Sequence, residues 1–138
     1  MTFEDIPFSE SELKNASPLA LAFVGDAVHT LAVRTRAYGD NPYDNNALHR
    51  ASSDFCRAEA QAEAVKRILP TLSPDEEFIY KKGKNAKVNS VPKNASLTDY
   101  KTATGLEALI GYLYLSQKEE RLKEILDRVC ADEGQTEV

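Results

Sequence analysis

Residues 17–33 read SPLALAFVGDAVHTLAV, and this stretch decides the fold class. Ser17 is a good N-cap, Pro18 suits the first helical position, and GDNPYDNN (39–46) supplies turn chemistry, so one helix is predicted from Pro18 to about Gly39. With His29 neutral, Asp26 is the one charged residue in the stretch. At about 100° per residue it falls on the line of Leu19, Ala22, Phe23, Thr30 and Val33, within the stripe expected to face the core.

Residues 103–115, ATGLEALIGYLYL, repeat the pattern with Glu107 as the lone charge. Glu107 shares its line with Ala103, Thr104, Ile110, Gly111 and Tyr114, on a segment so apolar that it reads as a helix covered on most sides. An ionised carboxylate alone there costs several kcal/mol or stays protonated. A single such acid is commonly satisfied by an Arg, a Tyr hydroxyl or backbone amides. Two of them, on the two most apolar helices, shift the expectation towards a shared hard divalent cation, which takes oxygen ligands and can drive phosphodiester chemistry.

The remaining segments also read as helix. Asn45–Asp54 and Arg57–Leu69 form a second stretch broken near Cys56, and Ser73–Pro74 begin a short helix closed by Gly83. Lys84–Leu97 is rich in Asn, Ser and Lys and is expected to be an exposed loop. Thr98 or Asp99 is expected to cap the Glu107 helix, and Ser116 with Glu119 matches a capping box for an amphipathic helix over Gln117–Cys130. No strand pattern, repeat or linker is visible, so the expected class is all-α with one domain: an N-terminal extension (1–16), a helical domain (17–131) and a polar tail (132–138).

A chain of 138 residues, 42% hydrophobic and 28% charged, can bury a real core as an ordinary globular domain. There is no charge-free apolar run long enough for a membrane span and no basic-plus-apolar start, so a cytoplasmic protein without membrane contact is expected. Cys56 and Cys130 lack metal-site spacing and are expected to be reduced thiols, and His29 and His49 to be structural. The net charge of -5 argues against nucleic acid, but its distribution argues the other way. Between Lys81 and Lys101 six lysines face one acid, Asp99. A basic segment on an acidic body is a localised anion-binding surface.

These pieces together resemble a known family. FVGDA (23–27) resembles the core of the ribonuclease III signature, and EALIG (107–111) its second metal-binding motif. LALAFVGDAV, NALHRAS, AEAQAEA, KKGKNAK, VPKNA and TGLEALIGYLYL are similar, in order, to the small Mini-ribonuclease III class, which has the catalytic helical domain and no double-stranded RNA-binding domain. The resemblance covers roughly residues 19–129. It implies a ribonuclease III-type helical fold and a homodimeric, Mg²⁺-dependent endonuclease for double-stranded RNA. It also implies 5′-phosphate and 3′-hydroxyl ends, maturation of 23S ribosomal RNA precursors and ribosomal proteins as accessory partners.

By this resemblance Asp26 and Glu107 are the catalytic and metal-binding residues. Glu63 matches an acidic position near the ribonuclease III active site, although from the sequence it is equally a solvated helix residue. Lys81, Lys82, Lys84, Asn85, Lys87, Asn89, Lys93 and Asn94 are the candidate RNA contacts, since a chain without an accessory domain must hold A-form RNA itself. The family's two further acids fall at Ala22 and Thr104, which puts the number of bound metals in doubt. The competing reading is a non-catalytic double-stranded RNA-binding or ribosome-associated module on the same fold.

Overall fold

Serine side chains begin four of the helices in the computed structural model, which describes residues 8–131 except 89, 92 and 94. Ser9 and Glu12 form a capping box for α1 (Glu10–Lys14), and Ser17 followed by Pro18 starts α2 (Pro18–Asp40). Asp44 caps α3 (Asn45–Cys56). Arg57, extended at φ -70° and ψ 148°, separates it from α4 (Ala58–Ile68). Ser73 and Glu76 make a second capping box for α5 (Pro74–Lys84), Ser96 starts α6 (Leu97–Leu115), and α7 (Glu119–Val129) closes the fold. No strand occurs among the described residues, as an all-α reading requires.

Helix α6 is the axis of the molecule. From Thr102 to Leu113 every residue is buried except the half-buried Glu107. Helices α2, α4, α5 and α7 pack around it. Two glycines set the closest approach. A Cβ at Gly25 of α2 would overlap the Glu107 carbonyl oxygen, and a Cβ at Gly111 of α6 would overlap the Leu21 carbonyl oxygen. The two backbones therefore touch at a crossing where only hydrogen fits. Similarly, a Cβ at Gly83 would lie 2.7 Å from Ala108 Cβ, which seats the end of α5 beside the residue that follows Glu107.

The segment read as an N-terminal extension contributes to this body. Leu13 is buried in the core, and the Tyr112 hydroxyl donates to Glu10 at 3.0 Å. Three local expectations differ from the structure. Helix α5 continues through Gly83, which is a packing glycine rather than a stop. The Asp99 amide donates to Ser96 Oγ at 3.0 Å, so the cap of α6 lies before Thr98. Ser116 ends α6 instead of starting α7, its hydroxyl donating to the Tyr112 carbonyl at 2.6 Å. Gln117 then turns left-handed at φ 58°, and the Gln117 and Lys118 amides donate to Tyr114 and Leu113 in a Schellman ending.

Asp26 is the larger correction. The core face of α2 is Leu21, Ala22, Gly25, His29, Val33 and Ala37, whereas Asp26 is exposed. Leu19 and Phe23, which define its line in the sequence, are themselves 47% and 80% exposed. Helix α2 carries apolar residues on two faces, and the periodicity selects the face that one chain leaves open.

Candidate active site

The α2–α6 crossing places Asp26, the residue after Gly25, opposite Glu107. Burial first, and then the Asp26 carboxylate at hydrogen-bonding range, push the Glu107 carboxyl up from 4.5 to about 8. Two acids facing each other at a backbone crossing do not ionise together cheaply, so Glu107 keeps its proton through neutral pH unless a cation compensates it. The expectation of a costly carboxylate therefore holds for Glu107 and not for Asp26, which has solvent on one side.

Behind this pair lies Gln61 of α4, a residue that sequence reasoning passed over. Its side chain is only 3% exposed, and its Nε2 donates to Glu107 Oε2 at 3.3 Å and to the Cys56 carbonyl at 3.0 Å. A signal was available: Gln61 begins the buried stripe Gln61, Ala64, Val65 and Ile68, where an amide stands at an apolar position.

The oxygen-only donor set fits a hard divalent cation, because neutralising the anionic pair is what such an ion does best. No group of three or more His, Cys, Asp or Glu side chains able to hold a metal occurs among the described residues. Water and substrate oxygens must then complete the coordination of any ion bound here. At the family's other two acidic positions, Ala22 and Thr104 are buried, and the Thr104 hydroxyl donates to the Tyr100 carbonyl at 2.9 Å. Glu63 is exposed and paired with Lys66 at 3.1 Å. It lines a separate depression with Asp54, Glu59 and Arg67.

His29 is buried one turn beyond Asp26, with neither ring nitrogen hydrogen-bonded to a described residue. Burial holds its pKa below the ordinary imidazole value despite the pull of Asp26, so the ring is neutral.

The basic residues divide between two elements. Lys81, Lys82 and Lys84 lie in the last turn of α5, where they also complement the helix dipole. Lys82 is committed to the fold: its ammonium donates to the Lys14 carbonyl at 2.6 Å and the Ala16 carbonyl at 3.3 Å, and it sits over the Phe78 ring. Lys81 lies 3.7 Å from Glu77 on an exposed face. Lys84 is half-buried, and Asn85, Lys87 and Lys93 are exposed beyond it. Asn89 and Asn94 fall outside the described residues.

On the open side of α2, Phe23, Asp26, Leu31, Tyr114, Leu122 and Leu126 line an apolar groove of about 790 Å³. Among the described residues no helix is long and apolar enough to cross a membrane.

The chain matches the ribonuclease III domain family over residues 19–118. It is 48% identical over 111 residues to a Mini-ribonuclease 3 of Thermoanaerobacter sp. (strain X514), covering 80% of this chain and 78% of that protein. With a Mini-ribonuclease 3 of Enterococcus faecalis it shares 39% identity over 127 residues, 91% of this chain and 96% of the relative. A crystal structure of a protein from Fusobacterium nucleatum superposes with a TM-score of 0.75 at 36% identity, covering 83% of this chain and 92% of that one.

Proposed function

Because the chain belongs to the ribonuclease III family, within its Mini-ribonuclease 3 group, we propose that it is a Mg²⁺-dependent endoribonuclease that cuts double-stranded RNA. The observation that carries the reading is the Asp26–Glu107 pair at the α2–α6 crossing, with Glu107 pushed up to about 8. A non-catalytic descendant would be more stable with an apolar residue in place of Glu107.

In this reading Asp26 and Glu107 hold the cation. When bound, Mg²⁺ supplies a nucleophilic water at neutral pH and neutralises charge on the phosphate. Glu107 gives up its proton on entering the ionised pair. Lys84, Lys87 and Lys93, with Lys81 and Asn85, contact the RNA backbone, and Gly83 packs against Ala108, the residue that follows Glu107. Water adds to the scissile phosphate and the 3′ oxygen leaves, giving 5′-phosphate and 3′-hydroxyl ends. With two protein carboxylates, metal binds weakly until RNA oxygens arrive, so metal and RNA strengthen each other's binding.

The open face of α2 is the contact for a homodimer. Leu19, Phe23, Ala27 and Leu31 recur every fourth residue along it and are exposed in the single chain. A two-fold, isologous contact through this face gives two sites, one for each strand of a duplex. The natural substrate in this reading is a 23S ribosomal RNA precursor in the cytoplasm, with ribosomal proteins as accessory partners.

Incubating the protein with a long RNA duplex, with and without Mg²⁺, tests the reading. Metal-dependent shortening with 5′-phosphate ends is expected. Retention of intact RNA at every metal concentration selects the non-catalytic module instead.

A further inference from the structure

Gln61 is a buried amide with a divided fate. Its Nε2 is fully used, donating to the Cys56 carbonyl at 3.0 Å and Glu107 Oε2 at 3.3 Å. Its Oε1 is buried and has no hydrogen-bond partner among the described residues. An unsatisfied buried acceptor is destabilising. On a stripe otherwise made of Ala64, Val65 and Ile68, an apolar side chain would avoid the orphaned oxygen but would take the donor from the Cys56 carbonyl and from Glu107. The fold thus tolerates a polar group where packing alone favours none.

What the amide provides is aim. The Cys56 carbonyl, where α3 ends, fixes the nitrogen from one side, so its remaining hydrogen can point only at Glu107. An amide N–H there favours the ionised carboxylate and restricts its rotation. We propose that Gln61 is a positioning residue of the metal site, holding Glu107 Oε2 from behind so that the other oxygen of Glu107 is left to meet the cation beside Asp26. This inference rests on the metal-site reading above.

The test uses Gln61→Met, which keeps length and volume, and Gln61→Leu as a second variant. Three quantities are read: the melting temperature without metal, Mn²⁺ affinity of the RNA-free protein by electron paramagnetic resonance, and the Mg²⁺ dependence of kcat alongside KM for a duplex. Groups that orient metal ligands typically change affinity by roughly tenfold or more. The expected result is a small change of melting temperature in both variants, because the orphaned oxygen is lost together with the donor to the Cys56 carbonyl. Mn²⁺ binding weakens by about tenfold and the Mg²⁺ requirement of kcat rises by a similar factor, with KM for RNA at saturating metal unchanged.

Unchanged Mn²⁺ affinity and Mg²⁺ requirement overturn the proposal. If the melting temperature falls in both variants alongside that result, Gln61 is a structural bracket between α3 and α4. If the wild type cuts no RNA yet binds Mn²⁺, and the variants bind it less well, the positioning role stands while the nuclease reading fails.

Discussion

Among the described carboxylic acids Glu107 is the one that the fold raises furthest, and its behaviour can be stated with a sign. Its carboxyl is raised from 4.5 to about 8 in the fold, so between those values the folded protein keeps a proton that the unfolded chain has released. Without metal, stability therefore falls as pH rises through that window. Glu107→Gln should remove the slope. The variant should melt like the wild type near pH 4, melt higher above pH 8, and show no metal-dependent cleavage. Lys82 gives the opposite kind of prediction. Because its ammonium holds the Lys14 and Ala16 carbonyls, Lys82→Met should cost about 1–2 kcal/mol in chemical denaturation while leaving the salt dependence of RNA binding unchanged. Neutralising Lys84, Lys87 and Lys93 should instead flatten that dependence, by roughly one unit of log-log slope per lost phosphate contact. At this scale the sequence was legible for charge against an apolar background, which is why Asp26 and Glu107 stood out. Gln61 was marked only by an amide at an apolar position, a weaker signal than a charge, and Lys82 could not be separated from its neighbours, because its role depends on the end of α1.

At the scale of elements, helix starts were legible wherever a serine precedes a proline, as at Ser17 and Ser73. They were misread where two signals compete. Ser116 and Glu119 have capping-box spacing, but the serine is drawn back to the Tyr112 carbonyl by the ending of α6. Gly83 looks like a stop because glycine usually marks one, yet here its missing side chain admits Ala108. Gly25 and Gly111 carry the same lesson with more at stake. Gly111→Ala should push α6 away from the Leu21 carbonyl and destabilise the protein by more than about 3 kcal/mol, since backbone cannot yield as a side chain can. A melting temperature within a few degrees of the wild type would show that the crossing has slack. Ala108→Gly, which opens space in the core instead of filling it, is the contrasting control.

For the whole molecule, helix α2 has more apolar surface than one chain can cover, which explains why its periodicity gave the wrong face for Asp26. In the homodimer proposed above, a second copy covers the exposed Leu19, Phe23 and Leu31. Phe23→Asp should leave the monomer's fold intact, because the ring is 80% exposed, and should shift the sedimenting species from dimer to monomer. A dimer that persists in this variant would place the subunit contact elsewhere. The glycine crossing has a further consequence for the cell's own RNA. The two acids belong to helices separated by tens of residues and meet only where backbone touches backbone, so in the proposed reading a fragment or nascent chain lacking either helix has no cutting centre. Loss of cleavage and loss of helix should accordingly follow a single denaturation curve, and an unfolded copy of this chain is harmless to the transcripts around it.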